Sequence, residues 1–263
     1  MLANYHTHTT FCDGKHTPEE VVESAIDKGF VALGFSSHGD SPRYGLKDPT
    51  EYIAEISRLK EKYKAKIQIY LGIEEDSTVY MERGKFDYLI GSKHYICKGG
   101  KSYPIDSNFG CFSECLTLFD GDVLAFAKEY YSEYCRYIKE RKPDIVAHFD
   151  LITKFEEKYD SVFFRDEKYL SLADKYMAEA AENDAIFEVN TGAISRGIRT
   201  TPYPQERLLY TLKKCGGKVM INSDSHAADT IDCSFDEARI LLRDVGFSHV
   251  YVLYDGEFQK VPI

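Results

Sequence analysis

Leu2-Ala3-Asn4-Tyr5-His6-Thr7-His8, then Thr17-Pro18-Glu19-Glu20, then Val31-Ala32-Leu33-Gly34-Phe35-Ser36-Ser37-His38: the order of these three stretches decides the fold. The first and third are short apolar runs that lead into histidine. The second joins an N-cap threonine to proline at the first helical position and glutamate at the third, which predicts a capping box, with Gly29 closing the helix. The stretches together predict a strand, a helix and a strand.

The same alternation runs on through the chain. Further strands are predicted at Ile67–Ile73, Tyr88–Gly91, Ile145–Ala147, Ala185–Val189 and Lys218–Ile221, with His249–Leu253 as an additional edge strand. Asp48-Pro49 opens a second helix, in which Tyr52, Ile56, Leu59 and Tyr63 recur at helical spacing. Later helices are predicted at Asp122–Glu140, Asp166–Asn183, Gln205–Cys215 and Phe235–Val245. Alternating strands and helices specify an α/β protein with a parallel sheet. Seven such units in 263 residues point to a closed or nearly closed β/α barrel rather than an open sheet. No repeat or linker divides the chain, so residues 1–263 are expected to form one domain. Tyr95–Phe119 lacks a clear period and is expected to be an inserted active-site loop.

Composition narrows the class. Hydrophobic residues make up 43% and charged residues 29%, which excludes a disordered chain. The net charge of −10 repels phosphate backbones, so nucleic acid is not an expected partner. No apolar run approaches the roughly 18 residues of a membrane span. The first residues lack the features of a secretory signal. Seven cysteines without a CxxC pair are expected to be reduced and mostly buried, which together with the N-terminus predicts a cytoplasmic protein.

Seven of the eight histidines stand at or after a predicted strand end. His6 and His8 are two apart, so a strand presents both on one face. His16 lies in the loop that follows. His38, Glu74, His94 and His148 follow the second to fifth strands, and Asp224 and His226 follow the seventh. In a parallel barrel these positions converge at the carboxyl end, where such proteins build their sites. Imidazole and carboxylate are ligands of borderline divalent metals. Nine ligands exceed the needs of one ion, so two or three are implied, and the two oxygens of Glu74 suit it to bridging. His249 precedes an apolar run and is given no role. No P-loop or dinucleotide fingerprint is present, and Gly34-Phe35-Ser36-Ser37-His38 lacks the final glycine of a nucleophile elbow.

Tyr5-His6-Thr7-His8-Thr9, Cys12-Asp13-Gly14-Lys15-His16, Ser37-His38, Gly72-Ile73-Glu74, Gly91-Ser92-Lys93-His94-Tyr95, Ala147-His148-Phe149-Asp150 and Asn222-Ser223-Asp224-Ser225-His226 resemble the successive motifs of the PHP (polymerase and histidinol phosphatase) family. Phe35-Ser36-Ser37-His38-Gly39-Asp40-Ser41-Pro42 and Ala147-His148-Phe149-Asp150-Leu151-Ile152-Thr153-Lys154-Phe155 are similar to motifs of its stand-alone L-histidinol-phosphate phosphatases. The resemblance implies a distorted, TIM-like (β/α)7 barrel with three divalent ions at the carboxyl ends of the strands. Carried over by residue, it implies that His6, His8, Glu74 and Asp224 hold the first ion. Glu74, His94 and His148 would hold the second, and His16, His38 and His226 the third. Zinc, manganese and iron all suit such ligands.

The function implied is hydrolysis of the phosphomonoester L-histidinol phosphate, by attack of a hydroxide bridging two ions. Arginine forks match phosphate, so Arg196, after the sixth strand, is the preferred clamp, followed by Lys154 and Arg165. Rivals on the same scaffold are nucleotide and phosphotyrosine phosphatases. A metal-holding scaffold without turnover and a metal-dependent amidohydrolase are rivals from other classes.

Overall fold

The computed structural model describes residues 1–41, 45–159 and 163–263. Pro42, which ends one of the motifs above, lies outside the described residues. In chain order the strands are β1 (Ala3–Asn4), β2 (Ala32–Phe35), β3 (Gln68–Asp76), β4 (Tyr88–Ser92), β5 (Tyr95–Lys98), β6 (Lys101–Pro104), β7 (Ile145–Val146), β8 (Ile186–Asn190), β9 (Lys218–Asn222), β10 (His249–Tyr254) and β11 (Glu257–Pro262). The helices are α1 (Pro18–Asp27), α2 (Thr50–Tyr63), α3 (Phe109–Thr117), α4 (Val123–Arg141), α5 (Glu156–Tyr159), α6 (Glu167–Ala181), α7 (Gly192–Ser195), α8 (Glu206–Lys214) and α9 (Phe235–Val245).

Local chemistry sets the helix starts. Glu20 N donates to Thr17 Oγ1 and Thr17 N donates to Glu20 Oε2 at 2.8 Å, which is the capping box expected before α1. Asp48 accepts from Thr50 N ahead of α2, Asp122 from Leu124 N and Ala125 N ahead of α4, and Asp166 from Lys168 N ahead of α6. Tyr52, Ile56, Leu59 and Tyr63 form the buried stripe of α2. No helix among the described residues is long and apolar enough to cross a membrane.

Seven strands lie in the order β1-β2-β3-β4-β7-β8-β9, all in parallel. Strand alternation sorts their side chains into two cores. Leu33, Phe35, Leu71, Ile73, Leu89, Val146, Phe187, Val189, Val219 and Ile221 face the helices. Tyr5, Tyr70, Tyr88, Ile90, Ile145, Ala147, Ile186 and Met220 fill the interior. The sheet curls until β1 approaches β9, which makes the barrel nearly closed. The ladder at this seam is reduced to a single bridge between Thr7 and Ser225, and side chains stitch the rest. Asn222 Oδ1 accepts from Tyr5 N, Asn4 Oδ1 accepts from Ser223 N, and His8 N donates to Ser225 O at 2.8 Å.

Three expectations change. Residues 95–119 are not irregular, because β5 and β6 form an antiparallel hairpin and α3 follows. Gly99 and Gly100 both adopt positive φ, and such a two-residue Gly-Gly turn is a hairpin signal that short, half-polar strands hid. His249–Leu253 is not an edge strand of the barrel. As β10 it pairs with β11 through Asp255-Gly256 and plugs the amino-terminal end, where Leu253 O accepts from Tyr5 Oη at 2.7 Å. All seven cysteines are free, but only Cys115 and Cys135 are buried.

The interior is crowded around Tyr88. Its hydroxyl reaches the carbonyls of Tyr5 and Phe35 at 2.5 and 3.1 Å, and its ring lies over Gly34 and Gly72. A Cβ on Gly72 would fall 2.2 Å from Tyr88 Cζ. Gly72→Ala is therefore expected to destabilise the fold by about 2 kcal/mol or more, because an immobile core side chain must shift. Gly84→Ala, in open surroundings on the turn Arg83–Lys85, is expected to stay within about 0.5 kcal/mol. Denaturant unfolding of the two variants checks this.

Candidate metal centre

Each residue of the site owes its position to a strand end. β3 carries Tyr70, Gly72 and Glu74 on its inner face, so Glu74 emerges above the aromatic floor with 1% of its surface exposed. Five imidazoles surround its carboxylate. His38 Nδ1, His6 Nε2 and His8 Nε2 lie 2.8, 3.3 and 3.5 Å from Oε2, and His148 Nε2 and His94 Nε2 lie 3.2 and 3.4 Å from Oε1. Asp224 Oδ1 joins from beyond β9, 3.1 Å from His8 Nε2 and 3.6 Å from His6 Nε2.

The donor atoms fall into three overlapping groups. His6, His8 and Glu74 form one, Glu74, His94 and His148 a second, and His8, Asp13, His38 and His226 a third, with the ligand atoms of each within 4.8 Å of one another. His6 Nε2, His8 Nε2, Glu74 Oε2 and Asp13 Oδ1 are buried and make no hydrogen bond. Buried polar atoms are rarely left so, and here they converge in sets of nitrogen and oxygen donors. The residues therefore fit divalent ions.

His16 is not brought into any of these groups, contrary to the set implied by resemblance. The loop after β1 folds back through Gly14 N to Thr9 O and Thr10 N to His16 O, and His16 Nδ1 accepts from Ala228 N at 3.1 Å. Asp13 takes the inward position instead, with Oδ1 3.4 Å from His226 Nε2 and 3.6 Å from His38 Nε2. Asp13 lies within the Cys12-Asp13-Gly14 stretch quoted above, and only the fold of this loop turns its carboxylate to the centre.

A second set of side chains orients the first, and sequence reading missed it. Glu188, buried on β8, accepts from His6 Nδ1 at 2.9 Å, which leaves Nε2 turned to the centre. It also accepts from Asn190 Nδ2, Asn222 Nδ2 and His148 N. Asp76 Oδ2 accepts from His94 N at 2.7 Å, and Cys12 Sγ lies 3.4 Å from His8 Nδ1. Glu75 points the other way along β3, gripped by Arg141 at 2.7 and 2.8 Å and by Tyr137 Oη at 2.8 Å. The signal available was the alternation Glu74-Glu75-Asp76, which sends the first and third carboxylates to one face.

Electrostatics reflects this packing. Burial disfavours a charged Glu74, but His38, His6 and His94 reverse that and hold its carboxyl well below the usual range. Burial likewise opposes protonation of His94, yet Glu74 and Asp76 raise its pKa to about 9. His8 is raised to about 10 despite burial, through Cys12 and Asp224. Paired charge offsets the cost of burial at these three groups, whereas burial and the neighbouring His8 lower the pKa of His226.

A cavity of about 230 Å³ opens on the groups. Arg196 lines it and donates to Asp224 Oδ2 through Nη2 and to the Asp224 carbonyl through Nη1, each at 3.1 Å. Lys154 lines it too, 3.1 Å from Asp106 Oδ2. Arg165 does not; it is exposed on the turn before α6, away from the lining. His249 sits on the hairpin at the opposite end and rests on Tyr251.

Comparison with known proteins agrees with this geometry. The chain is 26% identical to the probable histidinol-phosphatase of Schizosaccharomyces pombe, over 97% of this chain and 90% of that protein. It is 26% identical to the histidinol-phosphatase of Lactococcus lactis, over 96% and 94%. A crystal structure of L. lactis histidinol phosphate phosphatase (HisK), in complex with zinc, L-histidinol and phosphate, has the same fold, with TM-score 0.70 at 21% identity and 98% of each chain covered. The PHP domain matches residues 4–192, well over half of the sequence, and the chain belongs to the PHP family.

Proposed function

We propose that this chain is a metal-dependent phosphomonoesterase that hydrolyses L-histidinol phosphate to L-histidinol and phosphate, a reaction of histidine biosynthesis. The observation that carries the reading is the set of three overlapping nitrogen–oxygen donor groups, two sharing Glu74 and two sharing His8, beside a cavity holding Arg196 and Lys154. Relatives that match almost end to end bear the histidinol-phosphatase name. We read residues 1–263 as one PHP-type unit, with 95–119 as an insertion beside the site, acting in the cytoplasm on a small molecule rather than on nucleic acid or membrane.

The residues that would hold ions follow from the groups. His6, His8, Glu74 and Asp224 suit the first, Glu74, His94 and His148 the second, and Asp13, His38 and His226 the third. Zinc, manganese and iron are all compatible with these donors. Bound divalent ions lower the pKa of water and neutralise phosphoryl charge. The side chains supply the rest. Glu188 fixes the ring of His6, and Asp76 Oδ2 holds His94 through its backbone N–H at 2.7 Å and its ring Nδ1 at 3.3 Å. Arg196 steadies Asp224 and presents its guanidinium to the cavity, where it can bind a phosphate oxygen. Lys154 adds a second positive charge to the wall. Phosphoryl transfer depends on such positioning and charge neutralisation and needs no nucleophilic side chain.

Phosphate release from L-histidinol phosphate is expected to vanish on treatment with a chelator and to return on reloading with zinc or manganese. Glu74→Gln is expected to lose on the order of a thousandfold in kcat, because it serves two groups. Persistence of turnover in thoroughly chelated protein would sink the metal assignment. Asp13→Ala is expected to lower bound metal per chain and to cut kcat/KM by at least about tenfold, whereas His16→Ala changes both by less than about threefold. Metal analysis with steady-state kinetics separates the two. Arg196→Ala is expected to reduce kcat/KM by about 10- to 100-fold through loss of a charged hydrogen bond to phosphate; unchanged kinetics would remove Arg196 from substrate binding.

A further inference from the structure

We propose that Asp106, paired with Lys154 in the cavity wall, is the specificity-determining residue that receives the ammonium of a phosphomonoester whose amine lies on the carbon next to the ester carbon. The inference rests on the phosphomonoesterase reading above and names what the same site selects.

Four carboxylates line the cavity: Asp13, Glu74, Asp106 and Asp224. Three of them meet imidazoles at the metal groups. Asp106 has a different partner, since its Oδ2 accepts from Lys154 Nζ at 3.1 Å. It stands between β6 and α3, within the insertion, while Lys154 follows the turn Leu151–Thr153 beyond β7. Their pairing fastens the insertion over the site. Their side chains are only 22% and 12% exposed, so water screens the pair less than it would a surface pair. Although burial opposes the charge, Lys154 and His94 keep the Asp106 carboxylate ionised at neutral pH.

Selectivity calls for such a group. The donor groups, Arg196 and Lys154 attract any phosphate and cannot tell one ester from another. The remainder of the substrate must meet something else. Asp106 and Lys154 place one negative and one positive charge side by side in the wall. A phosphate and an ammonium on neighbouring carbons carry the opposite pair a few ångströms apart, so each end of the substrate finds a counter-charge. An ester without the amine leaves Asp106 with Lys154 alone and gains nothing from it. An ester with a carboxylate in that position meets repulsion.

The test compares L-histidinol phosphate with the imidazolylpropyl phosphate that lacks its amine, using metal-loaded wild type, Asp106→Asn and Asp106→Glu. The quantity read is the ratio of kcat/KM for the two esters. In the wild type the amine-bearing ester is expected to be preferred by at least about tenfold. Asp106→Asn is expected to lower the ratio by about 10- to 100-fold, the value of a charged hydrogen bond. Asp106→Glu keeps the charge and is expected to retain more of the preference than Asp106→Asn. Mere structural damage would slow both esters together and leave the ratio standing. A ratio in Asp106→Asn equal to that of wild type overturns the assignment, as does a wild-type ratio near one. If the wild type turns over neither ester, the phosphomonoesterase reading itself fails; if it turns over both with an unaltered ratio in the variant, only the role of Asp106 does.

Discussion

The buried carboxylate of Glu74, ringed by five imidazoles at 2.8–3.5 Å, is the constraint on which the rest of the structure depends. Removing an ionised carboxylate from water costs several kcal/mol unless opposite charge and hydrogen bonds offset it. Here the offset comes from residues delivered by four other strand ends, so the barrel must curl far enough to bring them together. Glu74 also marks the boundary between two chemistries on one strand face. Below it, Gly72 yields its volume to the Tyr88 ring and the interior is aromatic and aliphatic. Above it, nearly every side chain is polar.

Barrel closure and the metal centre share parts. The seam beside β1 and β9 lacks a continuous ladder and is closed by Asn4 and Asn222 together with the one bridge between Thr7 and Ser225. Asn222 spends its amide nitrogen on Glu188, and Glu188 in turn holds His6. A chain of buried hydrogen bonds thus runs from the weakest join of the sheet to a first ligand of the centre. Partly satisfied buried networks are costly, and this one is completed only when the seam is shut. The insertion is tied in by a second route, through Asp106 and Lys154. Closing the barrel, orienting the ligands and covering the cavity are therefore linked events.

Much of this was legible in the chain. The capping box at Thr17, the stripe of α2 and the helix starts at Asp122 and Asp166 appear as read, because they depend on residues within one or two turns of one another. His6, His8, His38, Glu74, His94, His148 and His226 gather in the donor groups, with Asp224 against His8 and His6, because strand ends in a parallel barrel face the same way. What was not legible shares one trait, which is dependence on distant partners. Asp13 replaces His16 because the loop after β1 is pulled against Ala228 and His226, more than two hundred residues away. Glu188 reads as an ordinary charge in an apolar run until His6 arrives beside it. The hairpin of β10 and β11 carried a turn signal, but its place under the barrel rests on Tyr5.

By itself, then, the sequence determined the α/β class, the number of barrel units, the starts of the long amphipathic helices and the residue types that meet at the carboxyl end. These follow from short-range periodicity, capping and the direction of strands, which act between near neighbours. The tertiary structure alone decided which carboxylate completes the third donor group, which nitrogen of each imidazole faces the centre, and which acidic residue of the insertion enters the cavity. Those choices depend on hydrogen bonds between segments far apart in the chain, and such bonds exist only once the barrel has curled and its seam has closed.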